Sequence, residues 1–310
     1  EAFFTANETK LHLMLPETHD HLPWTTLLLG IWIPVTYYWG LNQFITQRTL
    51  ASKSLQQGQL GLVFAAAIKV LIPFIIVFPG IMAFQLYGDQ LGIENKDQAF
   101  PMLIKELLPA GMRGILFAAL LGAIMSSLDS MLNSASTILT VDIYQRYFNR
   151  DAQAKDTILF GRIATGVFVV IGGLVAMLLN RPNFGGIFSY IQEFQGFISP
   201  GVFAAFLFGL VNRRAPWFAG MAAMVLCGPL YGAMRYYNYR FEANVSFLHH
   251  MAITVEILIV IMWALTAWKP RAQPIEFETQ TTIDLTPSRA AVWLGGLVIL
   301  ANLTMYVIFW

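Results

Sequence analysis

Oxygen-bearing side chains cluster in the middle of an apolar segment, residues 114–147. Ser126, Asp129, Ser130 and Asn133 stand at positions i, i+3, i+4 and i+7, so on a helix they share one face. A carboxylate at the centre of a bilayer costs at least about 2.5 kcal/mol, so we expect Asp129 to face protein, water or a cation. Hydroxyl, carbonyl and carboxylate oxygens suit a small hard cation. The pattern indicates an ion site, and contact between helices through small polar residues is the alternative that it leaves open.

A second group combines aromatic side chains with a lysine. Tyr38 and Trp39 follow Pro34, which removes a backbone donor and interrupts the helix of its apolar segment. They lie too near the middle of that segment for an interfacial aromatic belt. Lys69 lies roughly 15 Å into the next apolar segment, which is far for a lysine to snorkel to the surface. These side chains therefore indicate a substrate platform or gate, with Lys69 pairing with a carboxylate or donating hydrogen bonds to a polar ligand.

The elements that must position both groups are membrane-spanning helices. The chain has 310 residues, of which 56% are hydrophobic and only 12% charged, with a mean hydropathy of +0.59. Soluble proteins carry about 25% charged residues, so the composition predicts an all-α polytopic membrane protein in contact with the lipid bilayer. The net charge of +1 and the lack of a basic cluster argue against a nucleic-acid partner. Cys227 is the one cysteine, which excludes an intrachain disulfide or a cysteine metal site, and its apolar neighbours predict a small core residue.

Apolar segments of sufficient length predict eight spans. We place them at residues 24–44, 59–87, 114–147, 157–180, 187–210, 215–234, 247–268 and 290–310. Gly196 and Ser199-Pro200-Gly201 interrupt the fifth span, and residues 45–58, with Arg48, form a polar loop. Lysine and arginine are concentrated in alternate loops, so the positive-inside rule puts those loops in the cytoplasm and residue 1 outside. No nucleophile–base pair, phosphate loop or HExxH motif is present in the sequence, so we do not expect an enzyme.

Three stretches in order along the chain carry a family resemblance. They are YYWGLNQFITQRTLASKS at 37–54, SSLDSMLNSASTILTVDIY at 126–144 and SYIQEFQGFISPG at 189–201. Together they resemble the sodium:solute symporter family in its sodium/glucose cotransporter branch, and they are most similar to bacterial sodium/galactose symporters. The resemblance implies a LeuT-like fold, of which residues 24–210 match the second inverted repeat and 211–310 match peripheral C-terminal helices. It covers only the later part of such proteins, so we expect residues 1–310 to be a single transmembrane domain from a longer protein.

The resemblance also implies sodium ligands. Ser126 and Ser127, with the carbonyl of Ala123, match the family's sodium-binding positions, whose partners lie in the first repeat. Asp129 and Ser130 match positions that form a second sodium site in some members. Na⁺ is therefore the ion that we expect this segment to bind.

The same resemblance implies a solute site. Tyr38 matches an aromatic residue that closes the sugar pocket on its inner side, and Trp39 is its neighbour. Lys69 matches a lysine that donates hydrogen bonds to sugar hydroxyls, and Gln192 matches a glutamine that contacts the sugar. Val35 departs from the pattern, because galactose symporters carry a sugar-binding asparagine at that position. The departure bears on which sugar is bound and leaves the class of transporter intact.

We therefore expect sodium-coupled symport of a galactose- or glucose-like sugar across the plasma membrane, by alternating access. Two alternatives remain open. One is a sodium symporter for another solute, such as an acid sugar, a polyol or an amino acid. The other is a sodium-responsive membrane sensor that does not transport, which would change conformation with sodium without accumulating any solute.

Overall fold

Helices make up nearly the whole structure. The computed structural model describes residues 7–19, 22–91, 97–179, 187–243, 245–276 and 284–309. We number the α-helices in chain order: α1 Glu8–Leu11, α2 Trp24–Leu29, α3 Trp32–Thr36, α4 Gln43–Leu50, α5 Leu55–Val70, α6 Phe78–Leu91, α7 Ala99–Leu107, α8 Ala110–Thr137, α9 Ala154–Leu179, α10 Ile187–Gln195, α11 Ser199–Val211, α12 Trp217–Phe241, α13 Phe247–Trp268 and α14 Arg289–Ile308. Within these described ranges, three π-helical segments interrupt or extend them: π1 Tyr37–Leu41, π2 Pro73–Val77 and π3 Ile138–Phe148.

Local sequence explains where several of these helices begin. The Ser54, Ser246 and Ser288 side chains accept hydrogen bonds from backbone N–H groups in the first turns of α5, α13 and α14. Such caps satisfy donors that have no partner within the helix. Pro109 and Pro216 precede α8 and α12, where their fixed φ suits the entry to a helix.

The chain divides into two compact units. One consists of Glu1–Ile75 with Phe188–Trp310, and the other of Ile76–Ile187. We call them the first and second units. The assignment of residues 24–210 to a second repeat and of 211–310 to peripheral helices stays a prediction.

The core of the first unit lies between α11, α12 and α13, which pack against one another. Small residues at the contacts, including Ala204, Ala219 and Ala223, are fully buried and let the helix backbones approach closely. Larger side chains fill the remaining space. Its large fully buried side chains are Tyr231, Met251, Leu258 and Met262. This cluster is the largest apolar core among the residues that the structure describes.

The predicted first span, residues 24–44, is a series of short helices. The helix stops at Gly30, where an added Cβ would lie 2.5 Å from the Leu248 carbonyl oxygen. Pro34 has no N–H group, and the backbone changes to the π-helical segment π1 three residues later. Asn42 is then extended before α4 begins. Glycine and proline thus divide the predicted first span into short helices, and the interruption at Pro34 agrees with the sequence.

The second unit holds less buried apolar area. Helices α6 and α7 pack around Ala83 and Leu103. In the other group, α8 and π3 pack against α9. The Tyr144 and Phe160 rings stack with centroids 4.1 Å apart, and the Gln145 amide donates to the Thr157 hydroxyl at 2.9 Å.

Within the described ranges, six helices are long and apolar enough to cross a membrane. The helices α10 and α11 form a seventh span if the bent pair is counted as one. This confirms an all-α polytopic membrane protein, although with fewer unbroken spans than the eight predicted. The predicted span ends at Asn180 and Trp310 lie outside the described residues.

Candidate functional site

Trp39 and Lys69 are brought together in the first unit. Trp39 belongs to π1 and Lys69 to the last turn of α5, and Lys69 Nζ lies 2.6 Å from the centroid of the Trp39 ring. The negative face of an indole attracts an ammonium group, and such a contact contributes about 0.5–1 kcal/mol at an exposed position. Both side chains are exposed. The predicted aromatic platform and the predicted lysine donor thus form one surface.

This surface is part of the wall of a cavity of about 620 Å³. Apolar side chains form most of the remaining wall, and polar side chains from α4, from α5 and from the segment between them complete it. The other lining residues are Val35, Ile45, Arg48, Thr49, Ser52, Gln57, Gly58, Gly61, Leu62, Ala65 and Ala66. Ligand cavities commonly combine an apolar wall with a few polar groups that fix orientation. Val35, the position at which the sequence departs from the galactose pattern, lies on this wall.

Tyr38 stands beside this cavity wall as a packing partner of Trp39. Its ring meets the Trp39 ring edge to face at a centroid distance of 4.8 Å and the Phe44 ring at 5.7 Å. Tyr38 is half-buried, and it is not one of the residues that line the cavity. Its placement fits a residue that fixes the Trp39 ring, and its predicted role in closing a pocket stays a prediction.

Gln192 lies elsewhere in the first unit, on α10, and is half-buried. It does not line the cavity of Trp39 and Lys69. Its neighbour Glu193 accepts a hydrogen bond from Arg235 Nη2 at 2.5 Å, which ties α10 to α12. The predicted contact of Gln192 with a solute is therefore not tested by this cavity.

The predicted sodium ligands lie in the second unit on α8, which runs unbroken through them. Ser127 Oγ donates to the Ala123 carbonyl at 3.0 Å, and Ser130 Oγ donates to the Ser126 carbonyl at the same distance. Bonds of this kind, from a hydroxyl to the carbonyl four residues earlier, satisfy a serine in an apolar medium. They place two oxygen atoms, Ser127 Oγ and Ala123 O, close enough to contact one cation.

The predicted sodium ligands differ in exposure. Ser126, Ser127 and Asp129 are exposed on the unit's surface, whereas Ser130 is buried with 9% exposure. Rotation of the Ser127 hydroxyl hydrogen away from Ala123 would present lone pairs of both oxygens to the same space. Ser130 Oγ keeps its lone pairs while it donates to the Ser126 carbonyl, so its burial, and not this bond, limits the access of a second ion. The described residues contain no group of three or more His, Cys, Asp or Glu side chains that could hold a metal ion.

The predicted fifth span, in the first unit, is broken as the sequence predicts. Ser189–Gln195 and Ser199–Val211 meet at an angle of 45°. Gly196 lies at the break, and Pro200 occupies the first turn of α11, where its missing N–H costs nothing. In membranes such a break is tolerated where it is buried in protein or lines a cavity.

Two features were not found by sequence reasoning. Arg48 lines the cavity although its segment was interpreted as a polar loop. Cys227, Tyr231 and Arg235 all contact the broken span, and their spacing of four residues on α12 could have indicated a common face.

A profile of the sodium:solute symporter family matches residues 3–227. The chain is also similar to individual proteins of that kind. It is 43% identical to a sodium/glucose cotransporter of Vibrio parahaemolyticus over 209 residues, covering 63% of this chain and 38% of the relative. It is 34% identical to the uncharacterized symporter YidK of Escherichia coli (strain K12) over 290 residues, covering 93% of this chain and 49% of the relative.

A human relative extends the comparison to a different solute. The chain is 35% identical to the human sodium/myo-inositol cotransporter 2 over 221 residues, covering 67% of this chain and 33% of that protein. The chain thus spans between about a third and a half of the length of these three relatives. The residues 3–227 that match the family include all of the predicted sodium and solute residues.

Proposed function

The chain belongs to the sodium:solute symporter family, and from that premise we propose that it takes part in sodium-coupled symport of a sugar or a related polyol. The family consists of symporters, which agrees with the sequence prediction that the chain is not an enzyme. Its helices support a membrane location. We further propose the plasma membrane, with the residue-1 end on the outside, because lysine and arginine favour the opposite loops.

The observation that carries this proposal is the pairing of Trp39 with Lys69 on a cavity wall. An indole face suits the apolar face of a sugar ring, and an ammonium group with three N–H donors suits its hydroxyls. The relatives are named for glucose and for myo-inositol, two solutes that carry several hydroxyls on one ring. Tyr38 supports the Trp39 ring from the side.

Sodium binding is assigned to α8. We propose that Ala123 O, Ser126 and Ser127 contribute oxygens to one Na⁺, and that Asp129 and Ser130 contribute to a second. The adjacency of Ser127 Oγ and Ala123 O supports the first assignment. Oxygen ligands replace the water shell of a hard cation, and a carboxylate within a span is most stable beside a charge.

Coupling then follows from linkage. If Na⁺ binds more tightly to the conformation that also binds the solute more tightly, each ligand raises the affinity for the other by the same factor. A sodium gradient shifts the population toward that conformation on the outside, and loss of Na⁺ inside lowers the affinity for the solute. Transporters with broken helices at the midplane commonly achieve this by rocking one bundle against another.

A second candidate substrate class is favoured by one observation. The two charged side chains that line the cavity, Lys69 and Arg48, are both cations. An acid sugar or another carboxylate-bearing solute would gain electrostatic attraction that a neutral sugar lacks, and Arg48 would offer a planar pair of donors to its carboxylate. This alternative keeps the sodium-coupled mechanism and changes only the solute.

Solute uptake in proteoliposomes tests the proposal. The full-length protein carrying this sequence is reconstituted and given an inward Na⁺ gradient, with an equal K⁺ gradient as control. The panel contains labelled galactose, glucose, myo-inositol, a uronic acid and an amino acid. We expect concentrative uptake of a neutral sugar or polyol with Na⁺ alone.

Each other outcome points to a different account. Uptake of the uronic acid, lowered selectively by Arg48→Gln, would support the acidic-solute alternative. A sodium-dependent conformational change without accumulation of any solute would support a sensor and contradict symport. Equal uptake with K⁺ would contradict sodium coupling.

A further inference from the structure

The bent pair α10 and α11 is held by one face of a neighbouring helix. Cys227, Tyr231 and Arg235 are spaced four residues apart on α12, so they form a line along its axis. Each of the three contacts the segment around the break. We call these three residues the α12 clamp.

Cys227 touches both sides of the break. The Gly201 N–H, in the first turn of α11, donates to Cys227 Sγ at 3.1 Å. The thiol in turn faces the Gly196 carbonyl at 3.9 Å. Cys227 is 1% exposed. The Gly201 N–H and the Gly196 carbonyl both lose helical partners at the break, and one thiol contacts both. These contacts reduce the free-energy cost of burying the two groups in an apolar medium.

Tyr231 fills the space opposite the glycine. A Cβ added to Gly196 would lie 2.6 Å from Tyr231 Cε2, so only glycine leaves room for the ring. The ring also meets Phe197 edge to face at 5.0 Å, and His250 of α13 packs behind it at 6.4 Å. Within the described part of the chain, the Tyr231 hydroxyl has no hydrogen-bond partner. Its contribution therefore comes from the packing of the ring.

Arg235 completes the contact with an ion pair. Arg235 Nη2 and Glu193 Oε2 are 2.5 Å apart, and the two side chains are 32% and 26% exposed. Glu193 directly follows Gln192 on α10. Because the pair is shielded on most sides, it restrains the rotation of α10 about its axis more than a surface pair would.

From these contacts we infer that the α12 clamp sets the angle of the α10–α11 break and thereby positions Gln192. Part of the inference, the binding role of Gln192, rests on the proposed function. The three clamp residues act as positioning residues, since none of them lines the Trp39–Lys69 cavity. Helix α12 lies within residues 211–310, which are predicted to be peripheral helices. By this inference a peripheral helix would nevertheless help to shape a solute site of the transporter core.

Uptake kinetics test the positioning role in the full-length protein. We expect Arg235→Gln and Glu193→Gln each to raise the solute KM about fivefold or more. About fivefold is the lower end of the change in affinity that coupling between two distant sites produces. The sodium concentration for half-maximal binding should stay the same. The exchange of both charges, Glu193→Arg with Arg235→Glu, should recover most of the affinity.

Three further variants separate positioning from general damage. Gly228→Ala lies beside Cys227 on α12, and nothing lies within 4 Å of its added Cβ, so it should retain the wild-type KM. Tyr231→Phe retains the ring and should retain most of the affinity, whereas Tyr231→Ala should not. Equal KM values for wild type, Arg235→Gln and Tyr231→Ala would overturn the inference.

Thiol labelling gives a readout that does not depend on transport. Cys227 is modified with a membrane-permeant maleimide in the detergent-solubilised full-length protein, and the peptide that contains it is quantified by mass spectrometry. We expect slow labelling in wild type and Gly228→Ala, and labelling at least tenfold faster in Arg235→Gln. If uptake of every solute fails but labelling follows this order, the clamp stands and the proposed function fails. Rapid labelling in wild type would contradict the clamp itself.

Discussion

Small and polar residues interrupt the apolar sequence at two places, the break between α10 and α11 and the serine stretch of α8 (residues 126–130). The two interruptions differ in their surroundings. At the break, Gly196, Ser199 and Cys227 are buried, and α12 contacts both sides. In the serine stretch, Ser126 and Ser127 are exposed on their unit. The first interruption is stabilised by neighbouring side chains, and the second by bonds within its own helix.

This difference separates residues that fix the geometry of the fold from residues that bind a ligand. A buried break with specific contacts has one arrangement, so substitutions there should lower stability first and affinity as a consequence. Exposed hydroxyls that bond back to their own helix contribute little to the fold, so substitutions there should change ligand affinity and leave stability unchanged. The predictions below test this separation in the full-length protein.

The largest effect is expected for Gly196→Ala. The added methyl group would overlap the Tyr231 ring, and overpacking of this kind costs about 1–3 kcal/mol or more. We expect a clearly lower thermal unfolding midpoint in detergent, and faster labelling of Cys227. Gly228→Ala is the control and should match wild type. A wild-type midpoint for Gly196→Ala would show that the ring is free to move, and the contrast between the two interruptions would be lost.

Ser127→Ala should lower the apparent affinity for sodium without changing the stability of the protein. An oxygen that contacts a charge contributes about 1.5–3 kcal/mol, so we expect the sodium concentration for half-maximal uptake to rise at least about tenfold. The unfolding midpoint should stay at the wild-type value. Thr137→Ala removes a hydroxyl that bonds to the Asn133 carbonyl on the same helix, and it should change neither quantity. The same shift in Thr137→Ala would mean that helix bonding, not an ion, explains the serines.

Lys69→Met should weaken solute binding by a smaller factor. It removes one hydrogen-bond donor to the solute, which contributes about 1 kcal/mol, so we expect the solute KM to rise about fivefold. Sodium dependence should not change. Lys53→Met, at an exposed lysine before α5, is the control. A normal uptake curve for Lys69→Met would remove this residue from the solute site.

Asp129→Asn should give the smallest change in apparent affinity and a change in stoichiometry. If Asp129 serves a second ion, the reversal potential of uptake should indicate one sodium ion fewer for each solute molecule. Asp142→Asn, an exposed carboxylate in π3, should leave the ratio at its wild-type value. An unchanged ratio in both variants would make Asp129 a structural residue.

Much of this organisation follows from the sequence. The composition predicted a polytopic helical protein, and Gly196 with Ser199-Pro200-Gly201 predicted the break in the fifth span. Both are confirmed. Pro34 predicted a disturbance in the first span, yet the extent of the disruption depends on Gly30 lying against the Leu248 carbonyl, which is a contact between distant residues. Local patterns cannot show such contacts.

The candidate sites show the same limit. The pairing of Lys69 with Trp39 needs the π-helical turn of π1 and the length of α5, and neither pattern alone places one over the other. Arg48 looked like a residue of a polar loop because its sequence neighbours are polar, but it lines the cavity. Cys227 was expected to be a small core residue, and the structure adds that its sulfur serves the backbone at the break.

The central claim is that Ala123, Ser126 and Ser127 hold sodium, and a calorimetric titration of the purified full-length protein tests it most directly. Wild-type protein is titrated with NaCl and with KCl at constant ionic strength, and Ser127→Ala is titrated in parallel. The account predicts saturable binding of Na⁺ with no comparable binding of K⁺, weakened at least about tenfold in Ser127→Ala. Equal binding of Na⁺ and K⁺, or a titration that Ser127→Ala leaves unchanged, would contradict it.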